Sequence, residues 1–314
     1  VSAPLPPYLL ITPCRDEAAY ARRTLDSVVA QTHRPACWLI VDDGSSDATP
    51  QLLAEYAAKH SWIRVLRREN RGHRSVGPGV IDAFYAGWEV AEPARYPYFA
   101  KFDLDLDIPP RYFEILLRRM EAEPRLATCS GKPWFRGPNG ERISEGCGDE
   151  MSVGMTKLYR RAAFEQIGGF VREVMWDGID CHRARQLGWR AESYRDPELA
   201  FEHLRPMGSS QQSIFTGRVR HGAGQYFMGT GFLYMSASAL FRMLHPPYVL
   251  GGLAMEWGWL KSCFTRKKRY ADPAFRKFLR RYQLACLVQG KRRATRALDE
   301  RQASVWRPPQ ERRP

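Results

Sequence analysis

Between Tyr8 and Leu66 the sequence alternates three short apolar runs with two amphipathic stretches, and this alternation limits the fold more than any other feature. Tyr8 to Thr12 reads as a buried strand, followed by a helix with Leu25, Val28 and Val29 on its apolar face. Trp38 to Val41 is a second strand, a helix runs from about Ala48 to His60, and Ile63 to Leu66 is a third strand. Strand–helix–strand order predicts a parallel sheet covered by helices. Ligands of such sheets bind beyond the carboxyl ends of the strands. Polar clusters stand at those ends: Pro13-Cys14-Arg15-Asp16-Glu17 after the first strand and Asp42-Asp43-Gly44-Ser45-Ser46-Asp47 after the second.

A third cluster follows the apolar lead-in Tyr96 to Ala100. Lys101-Phe102-Asp103-Leu104-Asp105-Leu106-Asp107 places carboxylates at alternate positions, and Pro109-Pro110 ends any ladder. In a regular strand the three acids would share one face and repel, unless a hard divalent cation and phosphate oxygens complete the site. Between the second and third clusters, Glu69 to Gly79 carries glycines and arginines, Arg74 among them, ahead of a helix of about Val80 to Ala91. Such a loop suits an anion at a helix N-terminus, though a solvated loop fits the same residues.

At 314 residues, with 44% hydrophobic and 26% charged residues, the chain is of globular type. The net charge of +14 is local: from Lys261 onward there are 17 Lys/Arg against 4 Asp/Glu, so the first 260 residues are nearly balanced. The 7 cysteines are scattered, without Cys-x-x-Cys pairs or zinc spacing, which points to a reducing compartment. No signal-peptide layout is read at the N-terminus, and no apolar run reaches spanning length.

The ordered set Thr12 to Glu17, Val41 to Asp47 and Asp103-Leu104-Asp105 before Pro109 resembles the family 2 inverting glycosyltransferases of the GT-A fold. The resemblance extends from about Tyr8 to Arg205. It implies an α/β fold, a Rossmann-like mostly parallel sheet flanked by helices. It also implies donor-binding roles for Pro13, Arg15, Glu17, Asp42 and Asp43, and a divalent metal, manganese or magnesium, held by Asp103 and Asp105. Asp107 is the expected third ligand, and His203, late in the chain, the expected completion of the metal shell. Gly168-Gly169-Phe170, then Trp176-Asp177, then a helix ending at Gly188 resembles the segment bearing the catalytic base. By that spacing the base is Asp177, with Trp176 where members carry glutamate. Asp180, three residues on, is read either as a second catalytic carboxylate or as a helix N-terminal acid. The Gln-x-x-Arg-Trp motif of processive members is absent; Arg220 or His221 stands in that region and is expected to reach the diphosphate from a loop. Gly131 to Gly137 reads as an acceptor-side loop in which Trp134 either stacks on a sugar or packs.

From Tyr226 the chain becomes apolar in two broken runs, then basic. The expected organisation is a catalytic domain over 1–222, an apolar and basic helical extension over 223–290 suited to a membrane interface, and a disordered basic tail over 291–314. The extension is equally readable as core helices. The expected function is metal-dependent inverting transfer of one sugar from a UDP- or GDP-linked donor to a lipid-linked or glycan acceptor. Cell-surface or extracellular polysaccharide biosynthesis is the expected setting, with the protein peripheral on the inner face of the cytoplasmic membrane. The alternative is a polyanion- or nucleic-acid-binding protein acting through the tail, but no nucleic-acid motif is present, and nucleic acid is not the expected partner.

Overall fold

The computed structural model describes residues 4–70, 72, 77–205 and 214–308. They divide into two compact units, the first holding 1–172, 190–206 and 307–314, the second 173–189 and 207–306.

The first unit is built on β1 (Tyr8–Cys14), α1 (Ala18–Val29), β2 (Cys37–Asp42), α2 (Thr49–Lys59), β3 (Ile63–Arg67), α3 (Pro78–Val90) and β4 (Tyr98–Phe102). After β4 come β5 (Leu106–Asp107), α4 (Tyr112–Ala122), β6 (Leu126–Ser130), β7 (Lys132–Arg136), β8 (Arg142–Ser144), β9 (Thr156–Arg160) and α5 (Arg161–Ile167). β10 (Arg190–Ser193) and β11 (Ala200–His203) complete it. Seven strands form one sheet in the order β10-β6-β9-β4-β1-β2-β3, and β5-β11-β7-β8 form a smaller one. Neighbouring strands of the large sheet pair in parallel except at β9, which is antiparallel to β4 and β6.

The residue choices explain this layout. β1, β2, β4 and β6 are buried along their whole length, as continuous apolar runs covered on both faces must be. β3, at an edge, exposes Arg64 and Arg67, charges that discourage further pairing. On α4, Phe113, Leu116, Leu117 and Met120 recur at helical spacing and are buried. Each contributes about 1.5–3 kcal/mol by leaving water. α5 ends in two left-handed glycines, Gly168 and Gly169, whose amides donate back to Glu165 and Phe164. Phe170 is thereby turned into an aromatic cluster with Phe84, Tyr159 and Phe164.

Strand order reverses at β1: β2 and β3 lie on one side of it and β4 on the other. That is the topological switch point, where a crevice opens beyond the strand ends. Pro13 fits within β1 because the ladder to β4 has ended at Ile11, paired with Lys101.

The second unit is helical: α6 (Trp176–Gln186), α7 (Ile214–Met228), α8 (Phe232–Met243), α9 (Tyr248–Phe264), α10 (Pro273–Gln289) and α11 (Lys291–Gln302). Gly222 and Gly258 bring α7 and α9 into backbone contact; a Cβ on Gly222 would lie 1.8 Å from the Met255 carbonyl oxygen.

Three expectations are corrected. Residues 132–136 form a strand, not a loop, paired with β11 and β8, although Pro133 and the flanking glycines disguise it. The expected disordered tail folds over 291–302 as α11. There Ala294 and Leu298, spaced i to i+4, pack with Tyr282 and Cys286, and the Arg185 guanidinium pairs with Asp299 at 3.0 Å. Arg220 and His221 lie inside α7, not on a loop.

Candidate active site

The ends of β1, β2 and β3 are lashed together by their own polar residues. Arg15 donates to the Asp43 carbonyl at 3.2 Å and to Asn70 Oδ1 at 2.6 Å, while Asp43 accepts from Arg68 at 2.8 Å. Asp42 Oδ1 accepts from the Ser45 amide at 2.8 Å, a local turn that Gly44 permits with φ of +79°. A Cβ on Gly44 would meet Asn70 Cα at 2.5 Å, so the two loops touch through backbone. The amides entering α1 lack partners within their helix and find them across the gap. Asp16 donates to Ser45 at 2.9 Å, Glu17 to Thr49 at 2.8 Å and Ala18 to Asp47 at 3.0 Å. The Asp-Gly-Ser-Ser-Asp run therefore caps a helix besides lining the crevice.

Beyond β4 the chain does not stay in a regular strand, so the expected alternation of three carboxylates fails. It bends at Leu104 and Asp105. The bend is pinned by Thr24 of α1, whose hydroxyl donates to the Leu104 carbonyl at 2.8 Å and accepts from the Leu106 amide at 3.0 Å. Asp103 and Asp105 remain close enough for the Asp105 charge to act on Asp103 and raise its pKa. Asp107 is drawn away into an ion pair with Arg23 at 2.6 Å, which Arg23 shares with Glu202 at 2.9 Å. The structure does not bring Asp107 to the other two.

His203, from the end of β11, does join them. Its Nε2 lies 3.6 Å from Asp105 Oδ2 and its Nδ1 is 3.0 Å from Glu145. Burial works against the imidazolium, but bonds to Asp105 and Glu145 outweigh it and raise the pKa to about 9. Arg205 reaches the same carboxylate, 2.7 Å from Asp105 Oδ2 and 2.8 Å from Glu17 Oε1. Buried Lys101 pairs with Asp103. Burial raises the Asp103 pKa, with Lys101 opposing; burial also pushes Asp105 up, but His203 and Arg205 hold it below the usual carboxylate range.

Among the described residues no three or more His, Cys, Asp or Glu side chains are already grouped to hold a metal. The donor set nevertheless fits one. Asp105 Oδ1 is buried with no hydrogen-bond partner among the described residues. Glu145 on Nδ1 leaves Nε2 of His203 facing Asp105, the carboxylate–histidine arrangement that orients metal ligands. Hard divalent cations need few protein oxygens where a diphosphate supplies the others.

In the second unit, Asp177 and Asp180 both fall within α6, which starts earlier than its sequence pattern suggests. Asp177 lies in the first turn and is half-buried; Asp180 is 1% exposed and accepts from the Cys181 amide at 2.6 Å. The residue entering the helix, Met175, takes a left-handed φ of +70°. Gly224 of α7 makes room for it: a Cβ there would sit 2.6 Å from Met175 Cγ. Asp177 acts electrostatically on His221, whose pKa burial depresses, and Arg220 is held down by burial too. The Arg220 Nη1 atom is buried without a hydrogen-bond partner among the described residues. Trp134, on β7, lies under Arg142 with 4.1 Å from guanidinium to ring. Arg74 lies outside the described residues.

Sequence reasoning missed Thr24, Lys101, Glu145 and Arg205. Lys101 and Arg205 flank the named motifs and were within reach; Thr24 and Glu145 act from 80 and 58 residues away, and no spacing rule finds them.

The chain is 29% identical over 174 residues to EpsH of Bacillus subtilis (strain 168), a match covering 55% of this chain and 46% of EpsH. It is 25% identical over 124 residues to the poly-beta-1,6-N-acetyl-D-glucosamine synthase of Staphylococcus aureus (strain COL), covering 39% of this chain and 27% of the synthase. It thus spans less than half the length of these curated relatives. Among solved structures it resembles the mannosyltransferase PcManGT of Pyrobaculum calidifontis in complex with GDP-Man and Mn2+, with a TM-score of 0.51 and 17% identity over 96% of this chain and 86% of that one. That likeness is one of fold, and the fold is GT-A, as the sequence resemblance implied. Residues 9–172, more than half the chain, match the glycosyl transferase family 2, and the chain belongs to that family.

Proposed function

We propose that this protein transfers one sugar, with inversion, from a UDP- or GDP-linked donor to a lipid-linked or glycan acceptor in cell-surface polysaccharide biosynthesis. The observation that carries the reading is the pairing of Asp103 and Asp105 beyond β4, with His203 oriented by Glu145, at the switch point of a GT-A sheet. Asp103, Asp105 and His203 would hold manganese or magnesium, which when bound neutralises charge developing on the leaving diphosphate. Asp42, Asp43, Arg15 and Glu17 form the crevice rim that receives the nucleoside, with Pro13 shaping the end of β1. Arg205, released from Asp105, is a cation available to the donor's phosphates. Arg220 and Arg74 are further candidates for that contact.

Inversion requires one carboxylate to take the acceptor hydroxyl proton as its oxygen attacks the anomeric carbon from behind. Asp177 is proposed for that role, because Asp180 is buried and already accepts from the Cys181 amide. The mannosyltransferase complex with GDP-Man and Mn2+ and the glucosamine-polymer synthase support donor class, metal and pathway by analogy. The basic balance after Lys261 favours the inner, anionic face of the cytoplasmic membrane as the site of action.

The test is release of nucleoside diphosphate from a panel of UDP- and GDP-sugars with and without Mn2+. Wild type is expected to release it only with metal, whereas a polyanion-binding protein would release none. Asp177→Asn is expected to bind donor normally and to transfer at least about a hundredfold more slowly. If Asp180→Asn shows that loss and Asp177→Asn stays active, the base is Asp180.

A further inference from the structure

Helices α8 and α9 form a hairpin whose two sides differ sharply. Phe232 packs tilted against Trp259 with ring centroids 5.7 Å apart, Ser236 donates to Glu256 at 3.0 Å, and Gly252 abuts the Ala239 carbonyl. These pairs run antiparallel and close the inner side, where Met235, Ala239, Met255 and Trp259 pack together. The other side is apolar and open. Leu233, Leu240 and Phe241 on α8 and Leu244 at its C-cap make one stripe, Leu250 and Trp257 another on α9, each residue between 55% and 72% exposed. Apolar side chains gathered this densely on a surface mark an interaction site.

The charges flanking the stripes identify the partner. Between Phe232 and Arg269 there are six Lys/Arg (Arg242, Lys261 and the run Arg266 to Arg269) and one acid, Glu256, which is engaged by Ser236. A second copy of this chain docking by a two-fold contact would set the same cations against each other. An anionic bilayer instead offers an acyl boundary for the stripes and phosphates for the cations. No described helix is long and apolar enough to cross a membrane.

We propose that the open face of the α8–α9 hairpin docks on an anionic lipid bilayer, its leucines, Phe241 and Trp257 entering the acyl boundary and its flanking cations pairing with lipid phosphates. The inference rests on the membrane-side location within the proposed function, yet its test needs no sugar transfer. The full chain is sedimented with vesicles of phosphatidylglycerol and phosphatidylcholine, and with phosphatidylcholine alone, at low and high salt. Wild type is expected to bind the anionic vesicles, less at high salt but still measurably, because the apolar contacts are unscreened. The triple variant Leu240→Ser, Phe241→Ser, Leu244→Ser is expected to lose at least about tenfold in bound fraction at both salts. These side chains point into solvent, so native far-UV dichroism and metal-dependent donor hydrolysis should persist in the variant. Lys267→Glu with Lys268→Glu is expected to lose binding chiefly at low salt. Vesicle binding unaffected by the triple variant overturns the proposal. So does a wild-type dimer that ignores vesicles and that the triple variant dissociates. Failure of donor hydrolysis with intact vesicle binding would sink the enzymatic reading and leave this one standing.

Discussion

His203 concentrates the electrostatics of the site in one side chain. In the metal-free protein its imidazolium is stabilised by Asp105 and Glu145, with the pKa raised to about 9 against an ordinary value of 6.5. A folded-state pKa above the unfolded one means that stabilisation is complete below about pH 6.5 and is lost as pH rises through about 9. At full loss the effect is on the order of 3 kcal/mol. Urea unfolding of metal-free protein across that window is expected to show falling stability in wild type and a flatter profile in His203→Gln. An equally steep profile in the variant would remove the Asp105–His203–Glu145 cluster as its cause. Asp107 teaches the complementary lesson: a carboxylate with motif spacing is captured by Arg23 once the backbone bends.

The helices of the second unit depend on close approach more than on large side chains. Gly222 faces the Met255 carbonyl and Gly258 faces the Val219 carbonyl, where a Cβ would lie 2.0 Å from oxygen. Neither obstacle is a flexible side chain, so α7 and α9 must move apart to admit a methyl group. Gly222→Ala is expected to destabilise the protein by about 1–3 kcal/mol, the usual cost of overpacking, even though alanine is the better helix former. A denaturation midpoint at or above wild type would show that the helices separate without penalty. Gly222 also explains why the Arg220–His221 region of α7 was read as a loop, since glycine there reads as a breaker rather than a contact.

At the scale of the whole molecule, the legible parts were those governed by local pattern. β1 and β2 were readable because buried parallel strands are continuous apolar runs, and the clusters at their ends marked the crevice. β7 was hidden by Pro133, and α11 by an arginine-rich composition that masks the Ala294–Leu298 spacing. The pinning of the Asp103–Asp105 bend by Thr24, and of His203 by Glu145, is tertiary and had no sequence signal. The central claim is that Asp103 and Asp105 make donor binding depend on a divalent metal. Calorimetric titration of UDP and GDP into wild type, Asp103→Asn and Asp105→Asn, with and without Mn2+, tests it most directly. The account predicts metal-dependent binding of one nucleotide by wild type and loss of that dependence in both variants with the fold intact; equal affinity with Mn2+ in all three proteins would contradict it.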